Sequence, residues 1–370
     1  MKIIKNTLKA LSVLGALAVF AALTSCNELA DNLKVEPSDW SEGKIQTDAY
    51  LMSSIGVNKY IESDSLHLAY SEDGLTWTEL DSNNAVFTTT MGSRHFRDPF
   101  IFRMNDGSFV LLASDFTSSG KYWDLGSRSD VNGYWGHPSN CIIVAFSKDL
   151  IHWEMEHKLQ LTDQCGKDGG TRHVWTPKAL YNKQYKCYDI YWVGDNSEGV
   201  NQVYVTQTYD FYSVKSLKPK TIYSPGYSVV DADIVKADGT YYMFNRDLVK
   251  NYSTFKGGDI QCAKLDGGWG RTFQRISENY INRVNSQTSV VYEEYPCVYL
   301  LEDKKTWIML TCQENNQGSW SAYASENLSD ASSWKTAADA GFTVTGLPSN
   351  TAASVVRITT AELDALKAAF

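Results

Sequence analysis

The chain has 370 residues, of which 43% are hydrophobic and 21% charged, and it contains 47 aromatic residues (11 Trp, 22 Tyr and 14 Phe). This composition is typical of a folded globular protein and excludes intrinsic disorder, collagen and coiled coil. A net charge of −9 and an isoelectric point near 5.2 leave no basic surface for a polyphosphate backbone, so nucleic acid is not expected as a partner.

The N-terminus has the parts of an export signal. Lys2, Lys5 and Lys9 give a basic start, residues 10–23 form an apolar run too short to span a membrane, and Cys26 follows. This order resembles a bacterial lipoprotein signal, which is cut before the cysteine that then carries the lipid. The alternative is an ordinary secretory signal with an incidental cysteine.

The sequence therefore predicts a signal peptide at residues 1–25, a linker from lipidated Cys26 at residues 26–48, and a folded domain at residues 49–370. We expect an exported lipoprotein anchored to the cell envelope, at the periplasmic or the outer-membrane surface. The lipid would be its only contact with the membrane, and the sequence does not predict an oligomeric state.

Six cysteines follow Cys26, and none has the C-x-x-C spacing of a zinc or redox site. We expect most of them to be small buried residues. If a disulfide forms, the favoured pair is Cys297 and Cys312, because the two flank a predicted hairpin.

One segment of the chain occurs five times. Residues 67–77 (HLAYSEDGLTW) return as residues 143–153 (IVAFSKDLIHW), and weaker copies begin near residues 203, 260 and 321. Each copy is an alternating strand, a turn and a further strand. The intervals of roughly 55 to 75 residues suit four-stranded propeller blades.

A second repeat precedes these copies and reads as a hairpin with an aliphatic first strand and an aromatic second strand. Its first strands begin at residues 98, 175, 231 and 294. Residues 49–80 supply only three strands, whereas residues 353–358 form a strand without a blade. We therefore predict an all-β fold, a single five-bladed β-propeller whose last blade is closed by N- and C-terminal strands.

A helix is predicted only at the C-terminus. Thr359 and Glu362 have the spacing of a capping box, and Leu363, Leu366 and Phe370 follow at helical spacing.

Acidic residues open the predicted inner strand of three blades, at Asp98, Asp231 and Glu294. If the inner strands start at one face of the channel, these residues occupy equivalent positions and face one cavity. Crowded carboxyl groups cannot all ionise, so an acid and a base become available together near neutral pH. Glycoside hydrolysis needs such a pair.

Alternatives remain at each position. Asp233 competes with Asp231 because strand alternation places both on one face, and Glu294 is favoured over Glu293 because Pro296 fixes its register. An aspartate before proline is also a common turn residue, as we expect for the acids beside the hairpin turns.

The motifs at residues 96–99 (FRDP), 174–177 (VWTP), 230–232 (VDA) and 294–296 (EYP) resemble, in this order, glycoside hydrolase family 43 and its clan of five-bladed propellers. The resemblance spans about residues 49–363. It implies an inverting glycosidase for arabinan, xylan or galactan-type glycans, of arabinofuranosidase, xylosidase or galactosidase type. It assigns Asp98 as the base, Glu294 as the acid and Asp231 as the residue that orients and tunes the acid.

The chain departs from the family at Lys178, where an acidic residue is usual. Family members often hold a channel metal through a histidine, but none of the six histidines here matches a ligand motif: His67, His95, His137, His152, His157 and His173. No cofactor is therefore predicted as required, and a channel calcium is not assigned.

Four residues are predicted to contact the sugar. Arg97 and Trp175 adjoin the motifs, although Trp175 could instead fill the core. Trp123 and Trp135 lie in residues 115–140, a stretch expected to border the pocket, and aromatic rings stack on sugars. The alternative for this stretch is a packed surface loop.

Two other functions compete with hydrolysis of these glycans. The first is a catalytically inactive propeller that serves as a surface glycan-binding lipoprotein, which the presence of all three acids disfavours. The second is a sialidase, suggested by residues 71–77. That box is one residue short, however, and no arginine triad for a carboxylate substrate is evident.

Overall fold

Five antiparallel sheets of four strands each make up the described part of the chain. The computed structural model describes residues 46–57, 64–116, 139–163, 173–248, 260–265, 271–276, 293–313, 316 and 318–370. The strands are β1 (Ala49–Gly56), β2 (His67–Ser71), β3 (Thr78–Glu79), β4 (Arg97–Arg103), β5 (Phe109–Ser114), β6 (Cys141–Ser147), β7 (Glu154–Gln160), β8 (Trp175–Asn182), β9 (Cys187–Asp195), β10 (Asn201–Thr208), β11 (Lys220–Tyr223), β12 (Val229–Ala237), β13 (Thr240–Asp247), β14 (Ile260–Leu265), β15 (Gln274–Arg275), β16 (Glu293–Leu300), β17 (Trp307–Gln313), β18 (Trp320–Ser325), β19 (Lys335–Thr336) and β20 (Asn350–Ile358).

The sheets are the blades of a propeller. Blades one to four are β4–β7, β8–β11, β12–β15 and β16–β19, and blade five joins β20 to β1, β2 and β3. The inner strands β4, β8, β12, β16 and β20 contact one another in a closed ring. The predicted five-bladed fold and its closure by N- and C-terminal strands are therefore confirmed.

Hydrophobic clusters fill the spaces between neighbouring blades. On β5, Phe109 and Leu111 pack in the cluster shared with blade five, whereas Val110 and Leu112 pack in the cluster shared with blade two. Because successive strand residues point to opposite faces, both faces of β5 are buried. This explains why the second strand of the hairpin is an unbroken apolar run.

The repeated Ser-x-Asp segments are turns at the ends of outer strands. Ser147 Oγ accepts the Leu150 amide at 2.8 Å, and Asp149 Oδ1 accepts the amides of Ile151 at 2.9 Å and His152 at 2.8 Å. These bonds satisfy the backbone of a tight turn. Related turns occur at Ser71 and Asp73, Thr208 and Asp210, and Ser325 and Asn327.

The C-terminal helix α1 (Thr360–Ala369) begins with the predicted capping box. Thr359 Oγ1 accepts the Glu362 amide at 3.2 Å, and Glu362 Oε2 accepts the Thr359 amide at 2.8 Å. Leu363 and Leu366 are buried as expected, whereas Phe370 is exposed. Among the described residues, no helix has the length and apolarity needed to cross a bilayer.

The cysteines behave mainly as buried apolar residues. Cys297 and Cys312 are both free and buried, so the favoured disulfide is wrong. The two lie on neighbouring strands but not opposite each other, because Cys297 pairs with Leu310 and Cys312 pairs with Glu294.

Candidate active site

All five inner strands carry the same β-bulge near their first residues. Two residues of the inner strand oppose one residue of the next strand, and the first of the two has a positive φ. We call these first residues the bulge residues. They are Asp98 (φ 55°), Thr176 (48°), Asp231 (57°), Tyr295 (53°) and Ala352 (53°).

The bulge residues converge on one pocket. Its empty volume is about 260 Å³, and all five line it together with Pro99, Lys178, Pro296 and Ala353. This volume includes space that is open to solvent, so it is not the volume of an enclosed cavity. Each blade therefore contributes its bulge residue to a single depression on the channel axis.

Positive φ is unfavourable for residues with a Cβ atom, at a cost of roughly 1–3 kcal/mol each. Aspartate tolerates this conformation better than a β-branched or bulky residue does. Thr176 and Tyr295 are therefore the most strained of the bulge residues. Such strain tends to occur where function requires it.

Asp98 is anchored through one carboxylate oxygen. Its Oδ2 accepts hydrogen bonds from Ser114 Oγ at 2.5 Å and from the Thr176 amide at 3.2 Å. Its Oδ1 is buried and has no hydrogen-bond partner among the described residues. Burial raises the pKa of Asp98, although the Arg97 charge and the Ser114 hydrogen bond act in the opposite direction.

Asp231 repeats this arrangement two blades further on. Its Oδ2 accepts the Tyr295 amide at 3.2 Å, just as Asp98 accepts the amide of the bulge residue in the following blade. Burial raises the pKa of Asp231 to about 6, with Arg246 lowering it and Asp98 raising it. Two aspartates in one pocket thus have carboxyl groups that favour the protonated form more than a free aspartate does.

Glu294 lies one residue before the bulge, which corrects the expected register. Asp98 and Asp231 occupy equivalent positions, but the equivalent of both in β16 is Tyr295, and Glu294 matches Arg97. Glu294 Oε2 lies 2.9 Å from Arg246 Nη1, with 13% and 9% of the two side chains exposed. It is not among the described residues that line the pocket.

Asp233 belongs to a different layer from Asp231. Its Oδ1 lies 2.7 Å from Lys178 Nζ, and its Oδ2 accepts the Val298 amide at 2.8 Å. Lys178 itself lines the pocket, and its charge lowers the pKa of both Asp98 and Asp231. Asp231 therefore lines the pocket, whereas Asp233 forms an ion pair with Lys178.

The predicted sugar-binding residues have varied positions. Arg97 donates from Nη2 to the Tyr295 hydroxyl oxygen at 3.4 Å. Trp175 is 8% exposed and stacks on His173, with ring centroids 3.4 Å apart, and neither Arg97 nor Trp175 is among the described pocket-lining residues. Trp123, Trp135 and the predicted lipidation site Cys26 lie outside the described residues.

The described residues contain no group of three or more His, Cys, Asp or Glu side chains that could hold a metal ion. The Asp233 carboxylate is paired with the Lys178 ammonium. Three of the histidines bond elsewhere: His67 to the Asn83 carbonyl, His152 to Asp149 and His157 to the Phe211 carbonyl.

Sequence reasoning missed Tyr295 as a pocket residue, Ser114 as the partner of Asp98 and Arg246 as the partner of Glu294. A signal for Tyr295 was present. Proline follows the bulge residue at positions 99, 177 and 296. Aligning these prolines places Tyr295 opposite Asp98, whereas aligning acidic residues does not.

A family model described as "Probable glycosyl hydrolase domain", of the glycosyl hydrolase 43-related type, matches residues 46–364. An alpha-L-arabinofuranosidase from Bifidobacterium longum is 25% identical over 198 residues, which are 47% of this chain and 17% of the relative. The chain therefore spans less than a fifth of that relative's length.

Two solved structures share the fold. An endo-1,4-beta-xylanase from Bacteroides thetaiotaomicron aligns with a TM-score of 0.52 and 15% identity, over 75% of this chain and 86% of that chain. A family 43 protein from Bacillus licheniformis aligns with a TM-score of 0.51 and 11% identity, over 79% of this chain and 55% of that one. At such identities the likeness extends to the propeller fold alone.

Proposed function

We propose that Asp98 is the general base and Glu294 the general acid of an inverting glycosidase. The chain itself belongs to the family 43-related glycosyl hydrolases. Asp231 would orient the site and tune the acid. The observation that carries the proposal is the buried, unpartnered Oδ1 of Asp98 in a pocket to which every blade contributes a residue.

The base role fits the way Asp98 is held. Two donors fix Oδ2, so the carboxylate cannot rotate freely, and Oδ1 is left to accept a proton from water. Burial raises the pKa of Asp98, whereas Arg97 and Lys178 act in the opposite direction and favour the ionised form that a base requires. In an inverting enzyme this water attacks the sugar from the face opposite the acid.

The acid role requires that Glu294 carries a proton. An arginine beside a carboxyl group instead favours the ionised form of that group. Arg246, which contacts Glu294, also lowers the pKa of Asp231. Arg246 thus acts on two carboxyl groups, and we propose that the negative charge of Asp231 balances it when Glu294 holds the proton.

We propose arabinan, xylan or galactan-type oligo- or polysaccharides as substrates. The support is the family membership together with the arabinofuranosidase and xylanase names of the similar proteins.

The test is a screen of aryl glycosides and plant polysaccharides with the wild type, Asp98→Asn and Glu294→Gln. A dinitrophenyl group leaves without protonation, so Glu294→Gln should lose far less activity on dinitrophenyl glycosides than on oligosaccharides. Asp98→Asn should lose activity on both. NMR of the first product formed should show an inverted anomeric centre.

Other outcomes of this screen would reject the proposal. If Asp231→Asn rather than Glu294→Gln kept its activity on dinitrophenyl glycosides while losing activity on oligosaccharides, the acid role would belong to Asp231. Binding of glycans without hydrolysis by the wild type would favour a surface glycan-binding protein.

We also propose that Cys26 is lipidated and tethers the domain to the cell envelope, on the basis of the N-terminal sequence. Expression of the full chain with Cys26→Ala should move the protein from the membrane fraction to the soluble fraction. An unchanged distribution would contradict the anchor.

A further inference from the structure

Tyr295 connects two blades across the pocket. Its backbone amide donates to Asp231 in blade three, and its hydroxyl oxygen accepts from Arg97 in blade one, the residue before Asp98. The side chain therefore reaches from blade four to blade one, and Tyr295 is one of the residues that line the pocket. Its hydroxyl oxygen contacts the residue that precedes Asp98 in the chain.

The backbone of Tyr295 is held in an unfavourable conformation. Its φ is 53°, which costs a bulky residue more than it would cost asparagine or glycine. The pairing of β16 with β17 on either side of the bulge maintains this conformation. A strained aromatic residue in a pocket is a reason to look for a functional role of its side chain.

The hydroxyl proton of Tyr295 has no acceptor among the described residues. Arginine is only a donor, so the Arg97 N–H uses a lone pair of the phenol oxygen and cannot accept its proton. Burial raises the pKa of Tyr295 well above its usual value; Arg97 acts in the opposite direction, and Asp98, Asp231 and Glu294 raise the pKa further. The hydroxyl group therefore keeps its proton at neutral pH and can donate it in a hydrogen bond.

An unused donor and an unused acceptor thus belong to the same pocket, the Tyr295 hydroxyl and Asp98 Oδ1. A hydroxyl group of a ligand can accept a hydrogen bond from the Tyr295 hydroxyl and can donate one to Asp98 Oδ1. A buried polar site of this kind binds a substrate that satisfies it and rejects an analogue that lacks the group.

We propose that the Tyr295 hydroxyl, oriented by Arg97, donates a hydrogen bond to a hydroxyl group of the sugar bound beside Asp98. The proposal rests on the proposed hydrolase function and adds a specificity-determining contact to it. The contact selects sugars that carry a hydroxyl at one ring position and excludes their deoxy analogues.

The experiment couples Tyr295→Phe to removal of single hydroxyl groups from the substrate. The probes are 4-nitrophenyl β-D-xyloside, α-L-arabinofuranoside and β-D-galactoside, followed by the monodeoxy analogues of whichever is cleaved. The kcat/KM of the wild type should be about 10–100-fold lower for one deoxy analogue than for the parent sugar. On the parent sugar, the kcat/KM of Tyr295→Phe should be lower than that of the wild type by the same factor. The variant should then no longer distinguish that analogue from the parent.

Tyr299→Phe is the matched control. Tyr299 lies on the same strand and donates to the Gly74 carbonyl at 2.8 Å, and it is not among the described pocket-lining residues. Its variant should keep discrimination against the deoxy analogue and kcat/KM within about twofold, because it loses a buried hydrogen bond outside the pocket.

A Tyr295→Phe variant that discriminates against every deoxy analogue as the wild type does would overturn the proposal. An equal loss on the parent and all analogues would also overturn it, because the hydroxyl would then act on the attacking water or on the fold. A wild type without hydrolase activity would instead reject the proposed function, which the Asp98→Asn comparison tests separately.

Discussion

Aspartates recur in two regions of the propeller, in the outer turns and at the bulges, and the two regions treat them in opposite ways. In the outer turns, Asp73 and Asp149 each accept two backbone amides, which lower their pKa values, that of Asp149 to about 2. At the bulges, Asp98 and Asp231 each accept one backbone amide, and burial raises their pKa values. Recurrence in a repeat therefore does not separate the two groups of aspartates, whereas the number of backbone amides that each one accepts does.

The largest expected effect is a loss of activity when the bulge aspartate Asp98 is replaced. Asp98→Asn should reduce kcat by about 10²–10⁴-fold, the usual contribution of a general base. Asparagine tolerates a positive φ and still has an oxygen to accept from Thr176, so the melting temperature should stay within a few degrees. Steady-state kinetics and thermal unfolding on the same preparation measure both. A collapse of folding would show that Asp98 is structural, like the aspartates of the outer turns.

The second effect concerns stability and its dependence on pH. The pKa of Asp231 is about 6 in the folded protein and 3.8 for a free aspartate, so between these values the folded state binds more protons than the unfolded state. Stability should therefore fall as pH rises from about 4 to 6. Asp231→Asn removes this cost, and it should stabilise the protein at pH 7.5 by up to about 3 kcal/mol.

The measurement for Asp231→Asn is denaturant unfolding at two pH values. The gain should be present at pH 7.5 and absent at pH 4, where the aspartate is already neutral in the folded state. A variant that is less stable than the wild type at both values would contradict the raised pKa.

The third effect concerns the ion pair between Lys178 and Asp233. The Lys178 charge lowers the pKa values of Asp98 and Asp231. Replacing it with methionine should raise both, so the acidic limb of the kcat/KM profile should move to higher pH, by up to about one pH unit. Activity should fall most on the acidic side of the profile and recover as the pH rises.

Lys178→Met also leaves Asp233 buried without its partner, which costs stability. The double variant Lys178→Met with Asp233→Asn removes both charges and keeps an acceptor for the Val298 amide. Lys178→Arg is the control that retains the charge. An acidic limb that does not move in the double variant would exclude Lys178 from tuning the aspartates.

The sequence predicted the fold more completely than the site, for a physical reason. Strand periodicity and the repeats are properties of many residues at once, so the five blades and the β20–β1 closure could be read from them. A β-bulge depends on a single added residue. Its effect on register is not visible in an apolar pattern, and Glu294 was therefore placed one position too far along β16.

The pocket itself depends on contacts between blades. Lys178 reaches Asp233 on the neighbouring inner strand, and Arg97 reaches Tyr295 across the ring, because closure of the propeller brings these residues of different blades together. Lys178 stood out in the sequence as a departure from the family pattern, yet no local feature indicated its partner. Asp98 and Asp231 were found because both are acidic and both open an inner strand, and they share one bulge position.

The smallest expected effect tests the outer turns alone. Asp149 accepts the amides of Ile151 and His152 and the Ser147 hydroxyl at 3.1 Å, so Asp149→Asn keeps one acceptor oxygen but loses the charge that strengthens these bonds. Loss of comparable caps costs about 0.5–2 kcal/mol, and the conservative asparagine should fall at the low end of that range. Because the pKa of Asp149 is lowered to about 2, its contribution is present above pH 4 and is lost as pH falls through about 2. Urea unfolding at pH 7 should therefore show a small loss with kcat unchanged, and a large loss of activity would mean that the outer turns and the pocket are coupled.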